Sequence, residues 1–202
     1  KEEPNIDLYV TGSNSRMLSM DILTEFKDRG EEIRVNPLTY DEFVSAYQGG
    51  SRLAWTEFMM YGGMPFVMHK DGHAEKAAYL QGLFEKTYIT DVIERNQLKA
   101  SKNVLEDLLN YLASSVGSLT NATRLENTFK SIKKQNIAHQ TISDYIDHFI
   151  DAFIIRKAER YDIKGRKYIG AQQKYFFTDV GLRKARLNFR QQEEYHIMEN
   201  IL

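Results

Sequence analysis

Hydrophobic positions recur at helical spacing over most of the chain. In the clearest case, they fall at positions i, i+3, i+4, i+7, i+8 and i+11 of one segment. These residues are Ile142, Tyr145, Ile146, Phe149, Ile150 and Phe153. The spacing predicts a helix over Gln140–Phe153, preceded by helices that begin at Ser101 and cover Leu125–Lys134. Helices are also predicted to dominate Asp41–Gln97.

Alternation of apolar and polar residues predicts only a few strands. Ile6–Val10 is expected to be a strand that ends in a polar loop, and Arg16–Arg29 a helix after it. Ile33–Val35 is predicted as a second, short strand. Ile154–Tyr161 and Lys174–Thr178 are predicted to form a β-hairpin around a basic turn.

The order of these elements indicates the fold class. Three helices followed by a β-hairpin is the order found in winged-helix domains. We therefore predict a mainly α protein with small β content, containing a winged-helix-like domain with a β-hairpin wing.

The composition is that of a globular protein and excludes several kinds of chemistry. Of 202 residues, 42% are hydrophobic and none is cysteine. Disulfides, thiol catalysis and Cys-ligated zinc are thereby excluded, and the expected location is the cytoplasm. No apolar run approaches the roughly 18–20 residues that a membrane helix needs, so no membrane partner is expected.

Charge is unevenly distributed along the chain. In total, 27 Lys and Arg nearly balance 28 Asp and Glu, but residues 156–190 hold 11 basic residues against 3 acidic ones. Such a surplus indicates a surface for an anionic partner, with DNA the first candidate. The candidate phosphate contacts are Lys133, Lys134, Lys164, Arg166 and Lys167.

The third predicted helix argues against direct reading of DNA bases. Its polar face carries Asp144, Asp147 and Asp151, which repel phosphate groups. We expect the wing rather than this helix to contact DNA. A nucleotide-independent DNA-binding regulator and a structural or partner-docking module both remain open on this pattern.

Two further patterns have structural as well as functional interpretations. Tyr61–Pro65, with the sequence YGGMP, is predicted to be a structural turn, with a functional hinge as the alternative. His69 and His73 have nominal metal-ligand spacing, but no third ligand is evident in the sequence. We therefore predict no metal site.

A series of short motifs, in a fixed order, resembles a known family. The motifs are Thr11–Ser15, Arg29–Ile33, Pro37–Phe43, Tyr61–Pro65, Tyr88–Arg95, Tyr161–Gly165, Lys174–Leu182 and Met198–Asn200. Together they resemble the middle of prokaryotic AAA+-type ATPases. The ATPases in question carry a C-terminal domain of unknown function that is often likened to restriction-endonuclease folds. The resemblance covers essentially the whole chain.

The resemblance implies a division of the chain into four parts. Residues 1–40 would be a remnant of the ATPase α/β core, and residues 41–100 a helical lid. Residues 101–190 would form the winged-helix-like domain, and residues 191–202 the start of a truncated C-terminal domain. Glu199 resembles an early acid of that endonuclease-like domain, but the later acids and lysine of a nuclease are missing.

The resemblance also implies catalytic roles for two residues. Asn14 matches the sensor position, where a polar side chain orients the attacking water or contacts the γ-phosphate. The alternative is a turn that caps the next helix. Arg29 matches a candidate arginine finger, which acts on the γ-phosphate of a neighbouring subunit in a homo-oligomer. The alternative is a solvated arginine that complements a helix dipole.

The phosphate-binding parts of such an ATPase are missing from this sequence. No G-x-x-x-x-G-K-[ST] loop occurs, nor an apolar strand ending in paired acids. In the family both precede the position that matches Lys1. We therefore expect an internal fragment whose parent protein uses ATP and Mg²⁺. The fragment alone is expected neither to bind nucleotide tightly nor to hydrolyse it.

Overall fold

The computed structural model describes residues 33–85, 90–95, 102–159, 172–190 and 194–201, together with Tyr9, Thr11 and Glu31. The helices before residue 100 are α1 (Tyr40–Ala46), α2 (Ser51–Tyr61), α3 (Gly72–Gly82) and α4 (Thr90–Arg95). Those after it are α5 (Lys102–Ser114), α6 (Ala122–Thr128), α7 (His139–Asp151), α8 (Val180–Arg186) and α9 (Glu194–Ile201). The strands β1 (Ile155–Ala158) and β2 (Lys174–Phe177) form an antiparallel sheet. The predicted mainly helical fold with a small sheet is confirmed.

Three details differ from the sequence prediction. The second predicted helix begins at Ala122, because Asn121 Oδ1 accepts a hydrogen bond from the Arg124 N–H at 2.8 Å and caps the helix there. The helix then continues as a π-helical turn, Phe129–Lys133. The predicted strand Ile33–Val35 is wrong, since this segment has no regular structure and finds no ladder partner among the described residues. The predicted elements Ile6–Val10 and Arg16–Arg29 lie outside the described residues.

Helices α5 and α7 bury the faces that their sequences predict. Leu105, Leu108 and Leu112 of α5 are fully buried, as are Ile142 and Phe149 of α7. Burial of one such side chain stabilises the fold by about 1.5–3 kcal/mol. Both helices keep a polar face. Among all the helices in the described part of the chain, none is long and apolar enough to cross a membrane.

Helix α8 lies between the other elements. It packs against α2, α3, α5 and α9 and against β2. Val180, Leu182 and Ala185 are buried, and Leu182 and Ala185 belong to the main hydrophobic cluster together with residues of α3, α5 and α7. A second, smaller cluster is formed by Phe43, Ala54 and Phe58, and Ile201 of α9 packs against it.

The two-stranded sheet has further partners along β2. Within the sheet, Ile155 pairs with Phe177 and Ala158 pairs with Lys174. Thr120, which lies between α5 and α6, forms an antiparallel bridge to Gln173 with N–H···O distances of 2.9 and 2.8 Å.

The side chain of Asn200 in α9 contacts the backbone at the other end of β2. It accepts a hydrogen bond from the Phe177 N–H at 2.9 Å and donates one to the Phe177 carbonyl oxygen at 2.9 Å. Asn200 therefore takes the place of a neighbouring backbone segment at this position.

Candidate functional site

The carboxylate of Asp179 joins two segments that are distant in the sequence. Asp179 Oδ1 accepts a hydrogen bond from the Leu182 N–H at 2.9 Å and so caps α8. Its Oδ2 accepts a hydrogen bond from the Gly63 N–H at 2.6 Å, across 116 residues. The turn after α2 is thereby fixed against the beginning of α8.

Two glycines at this junction leave no space for a side chain. A Cβ atom on Gly181 would overlap the backbone carbonyl oxygen of Tyr61, and one on Gly62 would overlap the Asp179 carboxylate. Gly62 also has φ of 74°, in the region that favours glycine. The interpretation of Tyr61–Pro65 as a structural turn agrees with this packing.

The environment of Asp179 changes its acidity. The residue is 4% exposed. Burial raises the pKa of Asp179 to about 6, although hydrogen bonds from the N–H groups of Gly63, Leu182 and Gly181 act in the opposite direction. Asp179 is therefore a buried group whose titration falls close to neutral pH.

Part of the basic surplus predicted to form a surface lies in the interior instead. Arg183 is 1% exposed and Lys184 is 8% exposed. Arg183 Nε donates to the Ala113 carbonyl oxygen at 2.8 Å, and Lys184 Nζ lies 3.7 Å from Met60 Sδ. Burial lowers the pKa of both groups, that of Arg183 to about 10. The prediction that the whole surplus forms a surface is therefore wrong for these two cations, because α8 is packed on the sides that carry them.

Of the predicted phosphate contacts, Lys133 and Lys134 fall in the described part of the chain. Lys133 Nζ lies 2.8 Å from Asp107 Oδ1 in α5, so its charge is partly neutralised. Lys134 follows the π-helical turn at φ of 53° and is exposed. The remaining predicted site residues lie outside the described residues: Asn14, Arg29, Lys164, Arg166 and Lys167.

The outer face of α7 is acidic, in agreement with its sequence. Asp144 and Asp147 are exposed. Asp144 Oδ1 accepts a hydrogen bond from Gln140 Nε2 at 3.0 Å. A helix with this face repels phosphate groups along most of its length.

The two histidines with metal-ligand spacing occupy different elements. His69 ends a short 3₁₀ helix, Pro65–His69, and His73 lies in the first turn of α3. His73 Nδ1 lies 2.9 Å from Tyr61 Oη. Within the described residues, no three acidic or histidine side chains form a group that could hold a metal ion.

Glu199 is part of the packing between α9 and the sheet. Its Oε1 lies 2.6 Å from Lys174 Nζ in β2. Its carboxylate occupies the space beside Gly117 that a Cβ atom there would need. The carboxylate is therefore engaged within the fold.

Two acidic residues, Asp107 and Asp179, make long-range contacts that the sequence does not predict. Asp107 carries no local signal, because its partner Lys133 lies 26 residues away. Asp179 does carry one, since an aspartate directly before a helical segment is a typical cap. Its second contact, with Gly63, has no local signal.

Comparison with known proteins places most of the chain in one family. Residues 52–193 match the family model described as a domain of unknown function, DUF8612. The chain belongs to this family. An uncharacterized protein of Haemophilus influenzae is 34% identical over 203 residues, which cover 98% of this chain and 50% of that protein. An uncharacterized protein of Methanocaldococcus jannaschii is 24% identical over 165 residues, which cover 76% of this chain and 37% of that protein.

The DUF8612 match includes both segments of the Asp179 junction. Gly63 and Asp179 lie within the matched residues 52–193. No solved structure matches the chain. This DUF8612 chain spans half or less of the length of these two relatives.

Proposed function

We propose that the chain is part of an AAA+-type ATPase in which ATP hydrolysis is coupled to movement of a winged-helix-like unit. The observation that carries this proposal is the contact between Asp179 and Gly63. These residues belong to Tyr61–Pro65 and Lys174–Leu182, two of the motifs that resemble the ATPase family. The contact brings the two motifs together at one buried carboxylate, which supports their belonging to one structural unit, as the resemblance implies.

The order of elements from α5 to β2 supports the winged-helix-like part. In a winged helix, a short strand after the first helix pairs with the second strand of the hairpin. The bridge between Thr120 and Gln173 has this position, after α5 and beside β2. Helices α6 and α7 contact each other as the following pair, and β1 and β2 supply the hairpin.

The relatives are long enough for the missing ATPase parts. The alignment covers 50% of the Haemophilus influenzae protein, which leaves about as many residues again for a phosphate-binding loop and Mg²⁺ ligands. In this proposal ATP and Mg²⁺ bind to the whole protein. This chain contributes Asn14 near the γ-phosphate and Arg29 toward a neighbouring subunit.

ATP turnover by the full-length protein tests both residues. We expect Asn14→Ala to lower kcat about 100-fold, because it removes a positioned polar group at the developing charge. Arg29→Ala should lower kcat about 1,000-fold, as expected for an arginine finger. Arg34→Ala is the matched control, because it removes the same kind of side chain at a position with no proposed role in ATP turnover. The Arg34 guanidinium lies against the Phe153 ring, 4.8 Å from its centre. Wild-type turnover in both variants would remove both assignments, and no turnover in the wild type would refute the ATPase.

Mixing the Asn14→Ala and Arg29→Ala variants tests whether Arg29 acts on the active site of a neighbouring subunit. If Arg29 acts on a neighbouring subunit, an Arg29→Ala subunit still supplies Asn14, while an Asn14→Ala subunit beside it supplies Arg29. The mixture should therefore have a higher activity than either variant alone. Failure to recover activity in mixed oligomers would contradict the intersubunit role.

DNA contact through the wing is a second candidate function, favoured by the winged-helix order. We expect replacement of Lys164, Arg166 and Lys167 by alanine to weaken binding to a DNA duplex. The slope of log K against log salt should fall by about 3, close to one for each phosphate that the protein no longer neutralises. Lys102→Ala is the control and should have little effect, because Lys102 lies 3.5 Å from Glu106 and is not among the predicted phosphate contacts. An unchanged affinity and slope in the triple variant would exclude the wing.

A further inference from the structure

A cleft of about 390 Å³ lies between α5, the π-helical turn and the end of α8. Its volume falls within the range of about 300–1,000 Å³ that is typical of small-molecule sites. Apolar side chains line part of it, among them Phe129, Ile132 and Leu187. Ile132 is an exposed large hydrophobic residue, 71% accessible, at the edge of this cleft.

The charged residues that line the cleft are mainly cationic. They are Lys133, Arg186 and Arg190, with Asp107 as the single carboxylate among the lining residues that the structure describes. Asp107 is already paired with Lys133 at 2.8 Å. The lining itself therefore has two more positive than negative charges, which favours an anionic ligand such as a phosphate monoester; the Glu106 carboxylate beside Arg186 lies outside the lining.

Arg186 is held in position at the cleft before any ligand binds. Its side chain is nine-tenths buried, and its guanidinium lies 5.6 Å from the centre of the Phe84 ring. One terminal nitrogen donates to the Glu106 carbonyl oxygen at 3.2 Å and lies 3.6 Å from the Glu106 carboxylate. That carboxylate also lies 3.5 Å from Lys102, so its charge is shared. The Arg186 Nε is buried without a hydrogen-bond partner among the described residues.

The backbone turns sharply at the end of α8, where it enters the cleft. Asn188 and Phe189 both have positive φ, 54° and 53°. The N–H groups of Asn188 and Phe189 donate to the carbonyl oxygens of Ala185 and Lys184, at 3.1 and 2.8 Å, which is a common way for a helix to end. The conformation brings Asn188 into the lining, where its Oδ1 accepts a hydrogen bond from Gln81 Nε2 at 3.3 Å. The side-chain N–H groups of Asn188 are then available as donors to a ligand.

We propose that this cleft binds a small phosphate monoester that carries an apolar or aromatic group. Arg186 and Arg190 contact the phosphate oxygens, because the planar guanidinium matches phosphate geometry. Lys133 adds a third cation, and Phe129 and Ile132 contact the apolar group. This proposal does not depend on the ATPase function, because none of these residues belongs to the nucleotide site proposed above.

Phenyl phosphate is a suitable probe, with binding measured by calorimetry and by NMR chemical shifts of the protein. We expect Arg190→Gln and Lys133→Gln each to weaken binding about tenfold, as expected for loss of a charge-assisted hydrogen bond. Lys130→Gln is the matched control. Lys130 is exposed and lies on the same π-helical turn, but it is not part of the cleft lining. Its removal should change the affinity less than twofold.

Three results would overturn the proposal. The first is absence of phenyl phosphate binding by the wild type at millimolar concentration. The second is wild-type affinity in both Arg190→Gln and Lys133→Gln, which avoid the buried Arg186 and are therefore expected to fold. The third is equal affinity for inorganic phosphate, because it would leave the apolar lining without a role. Inorganic phosphate bound about tenfold more weakly than phenyl phosphate supports the proposed ligand class.

Discussion

Replacement of Asp179 by alanine is expected to lower the free energy of unfolding by about 2–4 kcal/mol. The substitution leaves the buried N–H groups of Gly63 and Leu182 without an acceptor, and each costs about 1–3 kcal/mol. It also removes the cap of α8, the helix that contacts α2, α3, α5 and α9. Urea denaturation at pH 7 measures the change. A loss below about 0.5 kcal/mol, the size of an ordinary surface substitution, would show that the junction is not important for stability.

Asp179→Asn is the reference for a pH test of the same residue. Folding raises the pKa of Asp179 from 3.8 to about 6, so between these values the folded state binds more protons than the unfolded chain. The stability contributed by protonated Asp179 is therefore present at low pH and is lost as the pH rises through about 6. Asparagine does not titrate.

The stability of the wild type relative to Asp179→Asn should accordingly increase as the pH falls. Between pH 7 and about pH 4.5, the expected gain is about 2 kcal/mol. Urea denaturation of both proteins across this range measures it, and other titrating groups cancel in the difference. A difference that stays constant, or that shrinks toward low pH, would contradict the raised pKa.

Replacement of Gly181 by alanine is expected to destabilise the protein by about 3 kcal/mol or more. The added methyl group would overlap the Tyr61 carbonyl oxygen, and backbone atoms on both sides must move to make room. The expected loss comes from separation of α8 from the end of α2. Thermal or urea denaturation measures it.

Gly82→Ala provides the matched control for this substitution. Gly82 is the last residue of α3, and nothing lies within 4 Å of the position that its Cβ atom would take. Alanine is a better helix former than glycine, so this variant should gain about 0.5–1 kcal/mol. If both glycine variants changed stability in the same direction and by a similar amount, close packing at Gly181 would not be the cause.

The sequence predicts the helices well where one apolar face is continuous. In α7, the residues Ile142, Ile146 and Phe149 define the buried face by spacing alone, and the structure buries all three. The turn at Tyr61–Pro65 is likewise local, since glycine and proline limit the backbone directly. The strand prediction for Ile33–Val35 was wrong, because a strand needs a neighbour and the part of the chain that the structure describes supplies none for this segment.

The candidate sites depend on contacts that no local pattern contains. The charge surplus in residues 156–190 says nothing about which cations are buried, and Arg183 and Lys184 are interior because α8 is packed on several sides. No local pattern shows that Lys133 forms an ion pair with Asp107, because the two residues lie in different elements. The cleft at Arg186 needs α5, α6 and α8 together, and the sequence does not show that they meet.

The partners of β2 have a consequence for association between molecules. An open strand edge offers N–H and carbonyl groups to any other extended chain and is a common starting point of aggregation. On the side of β2 that faces away from β1, Thr120 pairs with both backbone groups of Gln173 and Asn200 with both of Phe177. The Tyr175 carbonyl oxygen accepts from the Gly117 N–H at 3.3 Å. A second molecule could add a strand along this side only by displacing both α9 and the segment between α5 and α6. Asn200 therefore occupies the Phe177 position of this edge, where an extended segment of another molecule would otherwise pair.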